Sequence, residues 1–144
     1  MKFVADVMLG RLARLMRFAG YDVEYDSKAT DDFLFHRARY RTLLTRDREL
    51  SERAAKRKAY FVQTTGAENQ LKEIRERFPL ENSSPRCLVC NKKISPVAKG
   101  KISHLVPPFV YRNQEKFFRC RHCNRIYWKG THFDRLARLM QIST

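Results

Sequence analysis

At 144 residues, 43% hydrophobic and 31% charged, the chain is too apolar for a disordered polymer and too charged to be built of membrane spans. Its formal charge of +15 favours a polyanionic partner, RNA or DNA before acidic lipid; the alternative is a generally basic, solvated surface. The imbalance is local, because residues 81–144 hold 13 Lys/Arg against three Asp/Glu.

The first residues enter a strand pattern at once, without the apolar run and small-residue cleavage site of a secretory signal. An intracellular, cytoplasmic protein with reduced cysteines and no membrane partner is therefore expected. Residues 2–7 read as a buried strand. Leu9, Leu12, Leu15, Met16 and Ala19 then recur at helical spacing up to Gly20, a natural helix terminator. Residues 21–25 alternate like a second strand, and Thr30 is placed to cap a helix running from Asp31 to about Tyr40.

Residues 41–45 carry Leu43 and Leu44 as a third strand, and Arg46-Asp47-Arg48 opens a helix through about Lys58. Tyr60, Phe61 and Val62 form a fourth strand. After a turn at Thr64-Thr65-Gly66, a last helix shows Leu71, Ile74 and Phe78 on its inner face and stops at Pro79. The order βαβαβαβα predicts an α/β domain over 1–80, a mostly parallel sheet with right-handed crossovers and helices on both faces. The polar, turn-rich segment 81–86 marks a boundary, and a second, small module over 81–144 follows. Arg11-Leu12-Ala13-Arg14-Leu15-Met16 recurs as Arg135-Leu136-Ala137-Arg138-Leu139-Met140; nothing around the two copies matches, so the echo predicts a C-terminal helix and not a duplication.

Cys87-Leu88-Val89-Cys90 and Cys120-Arg121-His122-Cys123 stand 29 residues apart. Each C-x-x-C can present two sulfurs to one tetrahedral Zn²⁺, so the four cysteines predict a closed zinc ribbon whose metal is structural. Unrelated redox motifs or an iron centre are the alternative. Ile94, Val97, Ile102, Leu105, Val106 and Val110 suggest strands around Pro107-Pro108, a long hairpin inserted between the knuckles. His104, His122 and His132 are superfluous to a filled shell and are expected at the surface or facing RNA. Lys116-Phe117-Phe118-Arg119 and Arg125-Ile126-Tyr127-Trp128-Lys129 interleave aromatics with cations, as a surface for phosphates and stacked bases would. Phe117 and Ile126 fit better as the ribbon's own core.

In a parallel sheet, ligands bind beyond the carboxyl ends of the strands, and acids fall there. Asp6 closes the first strand, Asp26, Asp31 and Asp32 follow the second, and Asp47 follows the third. Carboxylates gathered on one rim repel unless a cation joins them, and Mg²⁺ or Mn²⁺ there activates water for phosphodiester cleavage. Helix capping explains Asp31, Asp32 or Asp47 taken singly; the conjunction with Asp6 points to metal. Thr45 and Arg46 lie close enough in sequence to Asp47 to orient a substrate phosphate or a water. Glu24 is a weaker candidate, since alternation points it to solvent.

These pieces, taken in order, resemble the Mut7-C RNase family, a PIN-like nuclease domain fused to a C-terminal zinc ribbon. The matching residues run from Asp6 through Gly10, Arg11 and Arg14, then Gly20-Tyr21-Asp22, the Asp31-Asp32 pair, Leu43 through Arg48, Arg86-Cys87 through Cys90-Asn91, and Tyr127-Trp128-Lys129-Gly130-Thr131-His132. They span essentially the whole chain. The resemblance implies a PIN-like fold and metal-dependent cleavage of RNA, with Asp6, Asp31 or Asp32, and Asp47 in the acidic cluster. Arg11, Arg14, Lys116, Arg119, Arg121, Arg125, Trp128 and Lys129 are the expected RNA contacts, tRNA, ribosomal RNA or the ribosome being the candidate partners. A second reading is a non-catalytic RNA- or ribosome-binding protein with a degenerate nuclease site, gripping phosphates through the cationic stretches 37–48 and 53–58. A third, distant one is a phosphoacceptor receiver-like domain, which also gathers acids at strand ends.

Overall fold

The computed structural model describes residues 1–81 and 84–130. Within it the chain forms two compact units, Met1–Asn91 and Lys92–Thr144. The first unit extends past the polar segment 81–86 and takes in the first cysteine pair. The expected C-terminal helix, the second copy of the Arg-Leu-Ala-Arg-Leu-Met sequence and His132 lie outside the described residues.

In the first unit β1 (Lys2–Ala5), β2 (Asp22–Glu24), β3 (Thr42–Thr45) and β4 (Ala59–Phe61) form one sheet in the order β2-β1-β3-β4. All three pairings are parallel, with Val4 beside both Glu24 and Leu43. The chain leaves β1 on one side to make β2 and returns on the other to make β3. That reversal places a topological switch point at the carboxyl ends of β1 and β3, where the two neighbouring crossovers diverge.

The connecting helices are α1 (Gly10–Ala19), α2 (Asp31–Arg37), α3 (Arg48–Arg53) and α4 (Ala67–Arg77). Both sheet faces are covered, so the central strands carry adjacent buried residues, Phe3-Val4-Ala5 and Leu43-Leu44, whereas the edge strand β2 alternates as Asp22-Val23-Glu24. Val4 and Leu43 pack with Leu34, Ala38, Leu50 and Ala54. Phe3 points the other way, its ring set edge-on against Tyr21 and Phe78 at 5.6 and 5.1 Å. Local chemistry ends the helices where the sequence suggests. Gly20 takes φ 103° after α1, and the Thr30 hydroxyl accepts from the Phe33 amide at the start of α2. α3 is shorter than its expected reach to Lys58, because the chain turns at Ala54 to bring Lys58 N–H to the Ala38 carbonyl.

The second unit holds a three-stranded antiparallel sheet of β5 (Ile94–Val97), β6 (Phe117–Cys120) and β7 (Ile126–Trp128), with β6 in the middle. Of the expected inserted hairpin, Ile94 and Val97 do lie on a strand that pairs antiparallel with β6, but Ile102, Leu105, Val106 and Val110 form no strand. Residues 98–116 form instead a 3₁₀ turn at Lys99–Lys101 and a short helix α5 (Pro108–Asn113). Ile102, Val106 and Val110 recur every fourth residue, a helical period, and Pro107-Pro108 starts a helix where no N–H is needed. Ile102, Val106 and Phe117 make the small core, with Ile126, Trp128 and Tyr111 against it. Phe117 and Ile126 are thus core residues, and Trp128 lies edge-on to Phe117 at 6.4 Å, packed into the same cluster.

Candidate active site and candidate metal centre

The carboxyl ends of β1 and β3 bring together Asp6, Thr45 and Asp47. Asp6 ends β1 with its backbone N–H bonded to the Leu44 carbonyl, and one carboxylate oxygen caps the following 3₁₀ turn at the Val7 amide, 2.7 Å away. Its other oxygen accepts from the Thr45 hydroxyl at 2.6 Å. The Thr45 oxygen in turn accepts from the Asp47 amide at 3.0 Å, and Asp47 caps α3 through the Leu50 amide. Both acids therefore fill capping roles, yet a capping carboxylate retains lone pairs for a second partner.

Burial separates Asp6 from an ordinary cap. It is only 2% exposed, and no Lys or Arg pairs with it among the described residues. A buried carboxylate served by one hydroxyl and one amide is under-compensated, since burying a charge costs several kcal/mol unless a counter-charge offsets it.

The other expected site residues distribute differently. Asp31 and Asp32 are exposed in the first turn of α2, and Asp32 pairs with Arg53 at 2.8 Å. Among the described residues these acids form no cluster of three or more potential ligands with Asp6 and Asp47. Glu24 is paired with Arg37 and Arg41. One terminal nitrogen of Arg46 donates to the carbonyls of Val62, Gln63 and Thr64 at 2.7–3.0 Å, tying β3 to the end of β4. Much of the cationic stretch 37–58 is likewise engaged. Arg41 holds Asp22, Arg57 donates to the Phe35 carbonyl, and Arg53 and Arg57 lie over the Phe35 ring.

Glu73 was not singled out by sequence. It reaches from α4 to the residues after β4, accepting from the Tyr60 hydroxyl, the amides of Gln63 and Thr64, and the Thr64 hydroxyl. Burial pushes its carboxyl up, but these donors outweigh it and hold the group below the usual Glu range. Burial and the Glu73 carboxylate push Tyr60 up to about 12.

The four cysteines form a metal-competent group. The sulfurs of Cys87, Cys90, Cys120 and Cys123 lie within 4.8 Å of one another, against the edge of about 3.8 Å that Zn–S bonds of about 2.3 Å give a tetrahedron. Four soft thiolates in that arrangement fit Zn²⁺ and leave no open position for substrate. The two knuckles share one turn. Asn91 and Asn124 each follow the second cysteine in the left-handed region, at φ 64° and 62°, where Asn is tolerated. Their amides bond back to the carbonyls of Cys87 and Cys120. His104 and His122 are exposed, and neither joins the cysteine group among the described residues.

The first knuckle is fastened to β2 and α1. Arg17, 6% exposed on the otherwise apolar face of α1, donates to the Leu88 carbonyl at 2.7 Å and to the Val23 carbonyl at 3.0 Å. Asn91 accepts from the Val23 amide and donates to Asp22. Burial raises the Asp22 carboxyl, but Arg41, Asn91 and Arg86 outweigh it and the group lies below its ordinary value. Such long-range docking leaves no periodic signal; the buried arginine is its only trace in the sequence.

Beside this knuckle, Arg11, Arg14, Tyr25 and Val89 line an open cavity of about 670 Å³. Tyr25 donates to the Val7 carbonyl at 2.9 Å, and Gly10 makes room for it, since a Cβ there would come within 2.7 Å of the phenol oxygen.

The model of the Mut7-C RNAse domain matches residues 1–140. Neither a curated protein nor a solved structure matches the chain.

Proposed function

Because the chain belongs to the Mut7-C RNAse domain family, we propose that it is a Mg²⁺- or Mn²⁺-dependent ribonuclease of PIN-like fold. The observation that carries the reading is the Asp6 carboxylate, buried at the switch point without a cationic partner among the described residues. A divalent cation is the counter-charge it lacks, and oxygen donors are what such ions take. Asp6 and Asp47 would hold it; Asp31 or Asp32, which form no cluster with them among the described residues, would join only by a movement of the start of α2. When bound there, the cation supplies Lewis-acid polarisation of the phosphoryl oxygen and an activated water. Thr45 fixes the Asp6 carboxylate in orientation, as an outer partner of a metal ligand does.

RNA is the substrate that this reading implies, with tRNA, ribosomal RNA or the ribosome as candidate sources. The cysteine centre serves as the structural Zn²⁺ site of a basic RNA-binding ribbon, in which Lys116, Arg119, Arg121, Arg125 and Lys129 contact phosphates. Arg11 and Arg14, which border a cavity on the nuclease unit, are further phosphate contacts in this reading. A cytoplasmic location accords with thiols kept for metal.

The test is cleavage of an RNA oligonucleotide with Mn²⁺ by the parent and by an Asp6→Asn, Asp47→Asn double variant. Activity confined to the parent is expected. Equal activity in the two would sink the reading. The ion pair of Asp32 with Arg53 favours the second reading, a non-catalytic RNA-binding protein, which predicts salt-dependent RNA binding that survives loss of both acids and no cleavage in either protein.

A further inference from the structure

We propose that the pocket on the ribbon sheet lined by Ser95, Lys101, Arg119, Arg121 and Asn124 is a seat for one backbone phosphate of RNA. The inference rests on RNA being the substrate, and it deepens that reading by locating a discrete contact. The pocket has about 350 Å³ and no acidic residue in its lining. Three cations converge on it from separate places: Lys101 from the 3₁₀ turn, Arg119 from the central strand β6, and Arg121 from the second knuckle. Ser95 is the cross-strand neighbour of Arg119, and Asn124 enters from the left-handed turn that closes the knuckle.

The lining itself sets the sign of the ligand. Lys101, Arg119 and Arg121 share the pocket with no carboxylate among its lining residues. For such a cluster an anionic oxygen is the natural acceptor. Nearby Lys99 shows the contrast, being engaged by Glu115 at 3.2 Å and set over the Tyr111 ring at 4.8 Å. A free phosphate would leave most of the pocket unfilled. A diester with its sugars fills more of it, and a guanidinium fork suits the phosphate geometry.

The experiment measures binding of the full chain, zinc-loaded, to a single-stranded RNA oligonucleotide by fluorescence anisotropy over a salt series without divalent cation. Lys101 and Arg121 are exposed, so Lys101→Gln and Arg121→Gln leave the fold intact, verified by zinc content and circular dichroism. Each variant should lower the slope of log K against log salt by about 0.7, the value for one single-strand phosphate. The double variant should lower it no further, because one seat is lost once. An unchanged slope in both variants, or a double loss in the pair, would overturn the seat. Inorganic phosphate at matched ionic strength is the second probe, and displacement of RNA by it from the parent alone would reassign the pocket to free phosphate. Cleavage of the same RNA is scored separately with Mn²⁺. Cleavage with unaltered slopes removes the seat and leaves the nuclease, whereas altered slopes without cleavage do the reverse.

Discussion

Thr45 donates its hydroxyl to the buried carboxylate of Asp6 across 2.6 Å, joining the ends of two adjacent parallel strands. The same oxygen receives the Asp47 amide, so one hydroxyl orders both acids of the proposed metal site. Replacing Thr45 by Val keeps the β-branched shape and removes the bond. Cleavage should fall about 10- to 100-fold, the range for an outer partner of a metal ligand. Thr45→Ser should recover most of it. Initial rates over a Mn²⁺ titration check this, since the deficit should shrink as Mn²⁺ rises.

Zinc removal should reach β2. The Val23 amide is held by Asn91, which directly follows the first cysteine pair. Chelation, or Asn91→Gly with zinc retained, which suits the left-handed backbone there, should lower hydrogen-exchange protection at Val23 while leaving Leu44 in the sheet centre protected. The Asn91 change should also cost about 1–3 kcal/mol in unfolding free energy, the penalty of unpairing a buried donor. Unaltered Val23 exchange after chelation would show that the knuckle holds without metal.

One terminal nitrogen of Arg46 serves three carbonyls after β4. Arg46→Ala should therefore lower stability by about 1–3 kcal/mol, the worth of charge-assisted hydrogen bonds, and change the salt dependence of RNA binding little. A thermal melt and an anisotropy salt series together decide it. An unchanged melt with a shallower salt slope would return Arg46 to the substrate.

Much of the first unit was legible because its central strands carry adjacent apolar residues, its edge strand β2 alternates, and its helices carry their own stops. Gly20, Thr30 and Asp47 act where the sequence places them. The four cysteines were legible because their spacing is a metal-ligand spacing, and their sulfurs do gather. Residues 98–116 were not legible as helix, since isolated Ile and Val fit either period and only the four-residue recurrence of Ile102, Val106 and Val110 is helical. The grip of Arg17 and Asn91 on distant carbonyls and amides follows from tertiary packing alone. No periodic pattern encodes it. Glu73 was hidden for the same reason, being one acid among several on a charged helix.

Glu73 makes the acid limb of stability predictable. Its carboxyl is held below the ordinary Glu value of about 4.3 by Tyr60, Gln63 and Thr64. The folded chain thus binds that proton less readily than the unfolded chain. The contribution is fully present above the unfolded value and is lost as pH falls through the lower folded one. Glu73→Gln keeps the shape and cannot titrate. It should be less stable than the parent at neutral pH, by about 1 kcal/mol for weakened charge-assisted bonds, with the gap closing below about pH 4. The Tyr60 hydroxyl, released from the carboxylate, should titrate below its present value of about 12. Urea midpoints from pH 3 to 7 read the first effect and the ultraviolet phenolate titration the second. A gap that stays constant across that range would mean that Glu73 works by packing and not by charge.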